Sequence, residues 1–228
     1  MKVLILSAHP DDAETAAGGF AARNVQGGHE VVILHGGPAV REMGYKDRLS
    51  WDVRREESEA AAEELGARVA FLDWSHSEFE FNRATAAQLN EFVAGEDPDL
   101  VVAHWPIDTH PDHQVIGALA QSLFIRQRRW RLAFFEVYAG IQTLEFEPNR
   151  YIDITDVIER KNASILCHIS QDPEPQVEMH EKMSRFRGLE FGVAHAEAFR
   201  LMGGSGHDPC DVMFDPPRWY GTSGGISE

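Results

Sequence analysis

The 228-residue chain sets 21 Lys and Arg against 37 Asp and Glu, a formal net charge of −16, with 43% hydrophobic and 25% charged residues. That balance is globular, and at this length folding buries roughly 70% of the unfolded surface, enough for a full core without covalent staples. So acidic a chain is a poor match for phosphate polymers or anionic membranes, which argues against a nucleic-acid binder. Cys167 and Cys210 stand far apart with no CxxC pattern, so they read as thiols in a reducing compartment rather than a disulfide framework.

In chain order, residues 3–6 form an apolar first strand whose run stops at His9. It is too short for the roughly 18 apolar residues of a membrane span, and charges follow too soon for a signal peptide, so no membrane span and a cytoplasmic protein are expected. A helix over 13–26 ends at Gly27-Gly28, and a second strand at 31–34 precedes a polar, Gly-containing loop over 36–50. A helix over 52–65 stops at Gly66, and a third strand follows at 69–72. A fourth, at 100–103, comes after Asp97-Pro98-Asp99. The helix over 113–128 puts Val115, Leu119 and Leu123 on one face with Ile116, Ala120 and Phe124 beside them, before a fifth strand at 132–137. Strands alternating with helices imply right-handed βαβ units, and nearly all-apolar strands imply a sheet covered on both faces. The expected class is α/β, Rossmann-like, with a mostly parallel sheet and helices on both faces. Helices are expected at 156–167 and around 177–186, then an irregular Gly-, Pro- and Ser-rich tail. The organisation expected is a single domain over 1–228: a core over 1–140, a helical C-terminal part over 141–202, and an irregular tail over 203–228.

Two clusters carry chemistry. Residues 8–14 read AHPDDAE, leaving the C-terminal end of the first strand, where open α/β sheets bind ligands. Asp11 or Asp12 would otherwise serve to cap the helix that follows. Residues 108–113 read DTHPDH, just after the fourth strand. With strand order 3-2-1-4-5 the two clusters face each other across one crevice. Two His and one Asp supply three ligands for a divalent cation and leave a fourth position open, the catalytic rather than the structural zinc pattern.

These two stretches resemble the signatures of the PIG-L/LmbE-like deacetylases, zinc-dependent enzymes that remove acetyl groups from N-acetylglucosaminyl compounds. The resemblance continues in Arg54-Arg55-Glu56-Glu57, in Pro98-Asp99-Leu100, and in Asp153 to Asp156 with Lys161, His168, Ser170 and Gln171. It extends to Arg187-Gly188 and Ala196-Glu197-Ala198-Phe199, so that it covers roughly residues 2 to 200. It implies that His9, Asp12 and His113 hold the metal, that Asp11 is the general base, and that His110 faces the oxyanion. Asp112 would hydrogen-bond His110, fixing its tautomer and favouring the imidazolium. Arg54 resembles the family's substrate-contacting arginine, against a plain helix-surface ion pair. The implied cofactor is Zn²⁺, or Fe²⁺, which the same set accommodates. The implied partner is a small N-acetylated sugar conjugate, and a homo-oligomer stays open because no interface is legible.

Amide hydrolysis needs a nucleophilic water, an oxyanion stabiliser and a proton for the leaving amine, all of which that set can supply. His104 reads as a core or rim histidine, His168 as a supporting or packing residue, and His195 as not catalytic. Trp74, Trp105 and Phe79 read as either a sugar-stacking wall or core. Gly18-Gly19 reads as close helix packing. The rivals are a binuclear metallohydrolase, a nucleotide-binding module and a non-catalytic metal- or ligand-binding protein. The first lacks a His at position 108, and the second lacks a Gly fingerprint. Mere coordination would need neither Asp11 nor His110.

Overall fold

The computed structural model describes residues 1–37, 51–74, 79–203 and 209–216. Most of the expected loop over 36–50, residues 75–78 with His76, and most of the tail lie outside the described residues.

Strands β1 (Lys2–Ser7), β2 (Glu30–His35), β3 (Arg68–Phe71), β4 (Leu100–His104), β5 (Arg131–Phe135), β6 (Arg150–Asp153) and β7 (Ala196–Leu201) form one sheet in the order β3-β2-β1-β4-β5-β7-β6. The first five pair in parallel, while β7 runs antiparallel to both β5 and β6. The expected α/β class and the 3-2-1-4-5 order are therefore what the chain adopts. The helices are α1 (Asp12–Gln26), α2 (Trp51–Leu65), α3 (Arg83–Glu96), α4 (Pro111–Gln127), α5 (Ile158–Leu166) and α6 (Pro173–Phe191).

The side-chain alternation of β1 divides the core. Val3 and Ile5 pack with Val31, Ile33 and α1 on one face; Leu4 and Leu6 pack with Val32, Leu34, α3 and α4 on the other. Gly19 lets α1 press onto Ile154, since a Cβ there would lie 2.6 Å from Ile154 Cγ2. α1 also breaks its helical dihedrals at Ala17 (φ −139°), and the buried Glu197 carboxylate of β7 accepts from the backbone N–H of Gly19 (2.9 Å) and Phe20 (2.6 Å) beyond the break. Lys161 of α5 neutralises Glu197 at 2.6 Å. One buried ion pair thus caps an internal helix start and ties the C-terminal region to α1.

Three elements depart from the sequence expectation. α3 was not expected; it starts on an Asn82–Thr85 capping box and buries only Thr85, Leu89 and Val93, too thin an apolar stripe to stand out. The expected helical part over 141–202 also contains β6 and β7. β6 is four residues with Arg and Asp at its ends, and β7 contains no β-branched residue. Both are strands because a neighbouring edge pairs them, which local propensity does not register. In the tail, the turn Pro209–Met213 leads into Phe214, which packs on Phe20 and Phe199, so this piece is seated on the core.

Candidate metal centre and catalytic site

The loops after β1 and β4, neighbours in the sheet, bring the two sequence clusters together. In the first, the backbone N–H of His9 donates to Asp12 Oδ2 (2.9 Å). Asp11 precedes α1 with φ 97°, ψ −30°, and makes no side-chain cap. Neither aspartate is spent as an ordinary helix cap. A non-Gly residue at such a φ is strained by about 1–3 kcal/mol, the kind of strain that collects at working sites. In the second cluster His110 is the N-cap of α4, with Pro111 at its first turn.

Asp12 Oδ2 stands 3.4 Å from His9 Nδ1 and 3.3 Å from His113 Nε2. Two ligand atoms about 2.0–2.1 Å from a tetrahedral ion stand about 3.3–3.4 Å apart, so each of these two pairings with Asp12 has the spacing of neighbouring ligands. Each imidazole leans its other nitrogen on a carboxylate: His9 Nε2 on Asp112 Oδ2 at 2.8 Å, His113 Nδ1 on Asp108 Oδ2 at 3.2 Å. That backing orients the ring and raises its basicity, as at established metal sites. Two triples of donor atoms lie within 4.8 Å of one another, His9–His110–His113 and Asp12–His104–His113. The expected set of His9, Asp12 and His113 is neither of these triples; it shares His9 and His113 with the first and Asp12 and His113 with the second. His104 Nε2 accepts from the Ala8 N–H (3.0 Å) and stands 3.4 Å from Asp12 Oδ2, and its ring stacks on His113 at 4.0 Å.

The electrostatics follow from burial and proximity. Burial opposes charge on His113, but Asp12 and Asp108 outweigh it and push its pKa up to about 10. Burial likewise opposes charge on His9, yet its bonds to Asp112 and Asp12 raise its pKa. Burial would raise Asp12, but His113, His104 and His9 hold it well below the usual carboxylate range. His104, buried and beside His113, falls to about 4 and is neutral. Asp11 is raised by burial, with Arg54 opposing.

Two expectations need correction. The Asp112 carboxylate lies on His9 at 2.8 Å, while its backbone N–H donates to His110 Nδ1 at 3.2 Å. The N-cap geometry dictates this, because residue N2 of a helix presents its N–H to the cap side chain. A ring whose Nδ1 accepts carries its proton on Nε2, and burial together with His113 and His9 lowers the His110 pKa. That shift runs opposite to the one expected to favour an imidazolium, and with Nδ1 accepting, His110 has Nε2 left to donate.

Arg54 is no surface ion-pair residue. It is 2% exposed, donates to the Pro10 carbonyl, and sets Nη1 3.5 Å from Asp11 Oδ2. Trp74 and Phe79 belong to the core; Phe79 also lies against His9, ring centroids 5.4 Å apart. His195 meets Ser184, away from the cluster. Sequence reasoning gave no role to Asp108, although it opens the DTHPDH stretch; its backing of His113 depends on a loop closure with Gln142 and Thr143. Nor did it single out Glu14, a fully buried carboxylate between His35 (3.6 Å) and His168 (3.7 Å). Cys167 and Cys210 are both free thiols.

The family described as PIG-L: GlcNAc-PI de-N-acetylase matches residues 4–124. The chain is 29% identical over 223 residues to the diacetylchitobiose deacetylase of Thermococcus kodakarensis, covering 89% of this chain and 84% of that protein. It is also 29% identical over 212 residues to the 4-oxalmesaconate hydratase of Pseudomonas putida, covering 82% and 80%. Among solved structures it resembles the N,N'-diacetylchitobiose deacetylase of Pyrococcus horikoshii with a TM-score of 0.74 and 27% identity, covering 88% of this chain and 83% of that one.

Proposed function

The chain belongs to the PIG-L family of GlcNAc-PI de-N-acetylases, and from that premise we propose that it is a metal-dependent hydrolase that removes the acetyl group from a small N-acetylglucosamine conjugate. The observation that carries this is Asp11: a strained, partly exposed carboxylate, 23% accessible, standing outside the donor set of His9, Asp12 and His113 yet adjacent to it. A protein that only stored a cation would not need it.

His9, Asp12 and His113 would hold the cation, Zn²⁺ or Fe²⁺, which when bound acidifies a water and polarises the amide carbonyl. Asp11, its pKa raised by burial, takes the proton of the attacking water at its carboxylate and holds it for the leaving amine. His110 donates from Nε2 to the carbonyl oxygen as charge builds there, a contribution of about 3 kcal/mol for a well-aimed donor. Arg54 keeps Asp11 and the Pro10 carbonyl in register. Asp112 and Asp108 hold the His9 and His113 rings.

The Pseudomonas putida relative raises a second reading, addition of water to an unsaturated polycarboxylate. The charge balance favours the amide: the guanidinium of Arg54 is engaged by Pro10 and Asp11, a poor anchor for a polyanion. Among the described residues no helix is long and apolar enough to cross a membrane, consistent with a small polar substrate met in water.

The test is acetate release from N,N'-diacetylchitobiose and from N-acetylglucosamine joined to malate or inositol. Asp11→Asn, tolerated at positive φ, should keep its metal and lose turnover by about 10²–10⁴-fold. Hydration of 4-oxalmesaconate without acetate release from any of these amides would overturn the reading.

A further inference from the structure

We propose that the turn from His168 to Gln171, clamped to α2 by Glu57, is the positioning element that holds Asp11 and Arg54 in working register; Glu57, Ser170 and His168 are its parts. The inference rests on the role given above to Asp11, and concerns what keeps that residue where it is.

Asp11 is strained, so its conformation must be imposed from outside. Within α1, the Thr15 N–H and Oγ1 both donate to the Asp11 carbonyl at 2.9 Å. The other restraint comes from α2, through the bond of Arg54 to Pro10 and its approach to Asp11. The angle at which α2 presents Arg54 is therefore part of the catalytic geometry. One turn along the same buried face is Glu57, whose two oxygens accept from the Ser170 N–H and from Ser170 Oγ, each at 2.6 Å. Two residues earlier, His168 is 1% exposed and sets Nε2 3.7 Å from Glu14 Oε1. Glu14 lies one turn beyond Asp11 on α1, and its same oxygen meets His35, whose Nδ1 donates to the His9 carbonyl at 3.0 Å. The turn is thus hydrogen-bonded to α2 through Ser170 and sets the His168 ring beside Glu14 of α1, between the helix that carries Arg54 and the helix that Asp11 leads into.

Stability alone is a weak reason for such a device. Glu57 is 9% exposed and Glu14 wholly buried. Carboxylates in such positions carry a desolvation penalty that apolar side chains of similar volume would not. What a two-point carboxylate clamp adds over apolar packing is a fixed orientation. A displacement of about 1 Å at a reacting group can cost 10²-fold in rate.

The test uses the full-length, metal-loaded protein carrying Ser170→Ala, Glu57→Gln or Ser170→Thr. Wild-type acetate release is established first. Ser170→Ala and Glu57→Gln should lower kcat by about 10–100-fold, with metal content unchanged and KM within a few-fold of wild type. Ser170→Thr keeps both donors and should restore kcat. Hydrogen exchange of the segment around Asp11, read at the Thr15 amide, should speed up in the first two variants and not in the third, whatever substrate the enzyme prefers. A lowered Tm with wild-type kcat per metal-loaded molecule and wild-type exchange at Thr15 would overturn the proposal. Absent acetate release by the wild type would instead refute the deacetylase reading, and the exchange result would then decide the positioning role by itself.

Discussion

Cation binding at the proposed His9–Asp12–His113 set should release protons, and the amount follows from the structure. His113 sits between two carboxylates, Nε2 at 3.3 Å from Asp12 and Nδ1 at 3.2 Å from Asp108, with its pKa near 10. At pH 7 the metal-free ring therefore holds a proton about 10³ to 1, and a cation must displace it. Three pH units correspond to about 4 kcal/mol, so apparent affinity at pH 7 should lie about 1,000-fold below its high-pH limit. It should climb roughly tenfold per pH unit, and more steeply where His9, also raised, loses its proton. Calorimetry at pH 7 in two buffers of different ionisation enthalpy should give about one proton released per cation, or more. Chelator competition from pH 6.5 to 8.0 should give a matching slope. Asp108→Asn removes one of the two stabilising charges and should lower both. The same linkage sets the stability of the metal-free protein: a raised histidine stabilises fully below pH 6.5 and loses that contribution as pH rises through 10. Buffer-independent heats with a flat affinity profile would show that His113 is neutral before the metal arrives, and the electrostatic argument would fall.

Asp12→Ala should abolish stoichiometric metal binding, whereas His104→Gln should leave it intact, because His104 Nε2 is committed to the Ala8 N–H; equal losses by elemental analysis would make His104 a ligand. Glu197→Gln leaves Lys161 buried without its charge partner, so chemical unfolding should show a loss of about 3–5 kcal/mol; less than about 1 kcal/mol would mean the pair does not anchor the C-terminal region. Gly19→Ala forces a methyl onto Ile154 and should cost about 1–3 kcal/mol. Gly18→Ala, with its nearest neighbour at 3.4 Å, should be neutral or stabilising by up to about 1 kcal/mol. Destabilisation of equal size at both positions would refute the packing account.

Local sequence determined the parallel half of the fold and the composition of the site. Apolar strands separated by helix-length patterns admit few arrangements, since each strand buried on both faces needs a helix above and below. AHPDD and HPDH stand at strand ends, where such sheets concentrate function, so their convergence was legible before any coordinates. β6, β7 and α3 were not legible: a short strand is stabilised by the edge it joins, and α3 by a face only three residues deep. Tertiary structure alone assigned the partners. It placed the Asp112 carboxylate on His9, gave His113 its backing from Asp108, committed His104 to a backbone amide, and turned Arg54 inward onto Asp11. A hydrogen bond is decided within a few tenths of an ångström and by which nitrogen faces which oxygen. Spacing along the chain brings such groups to one place but leaves those directions to the packing of whole helices.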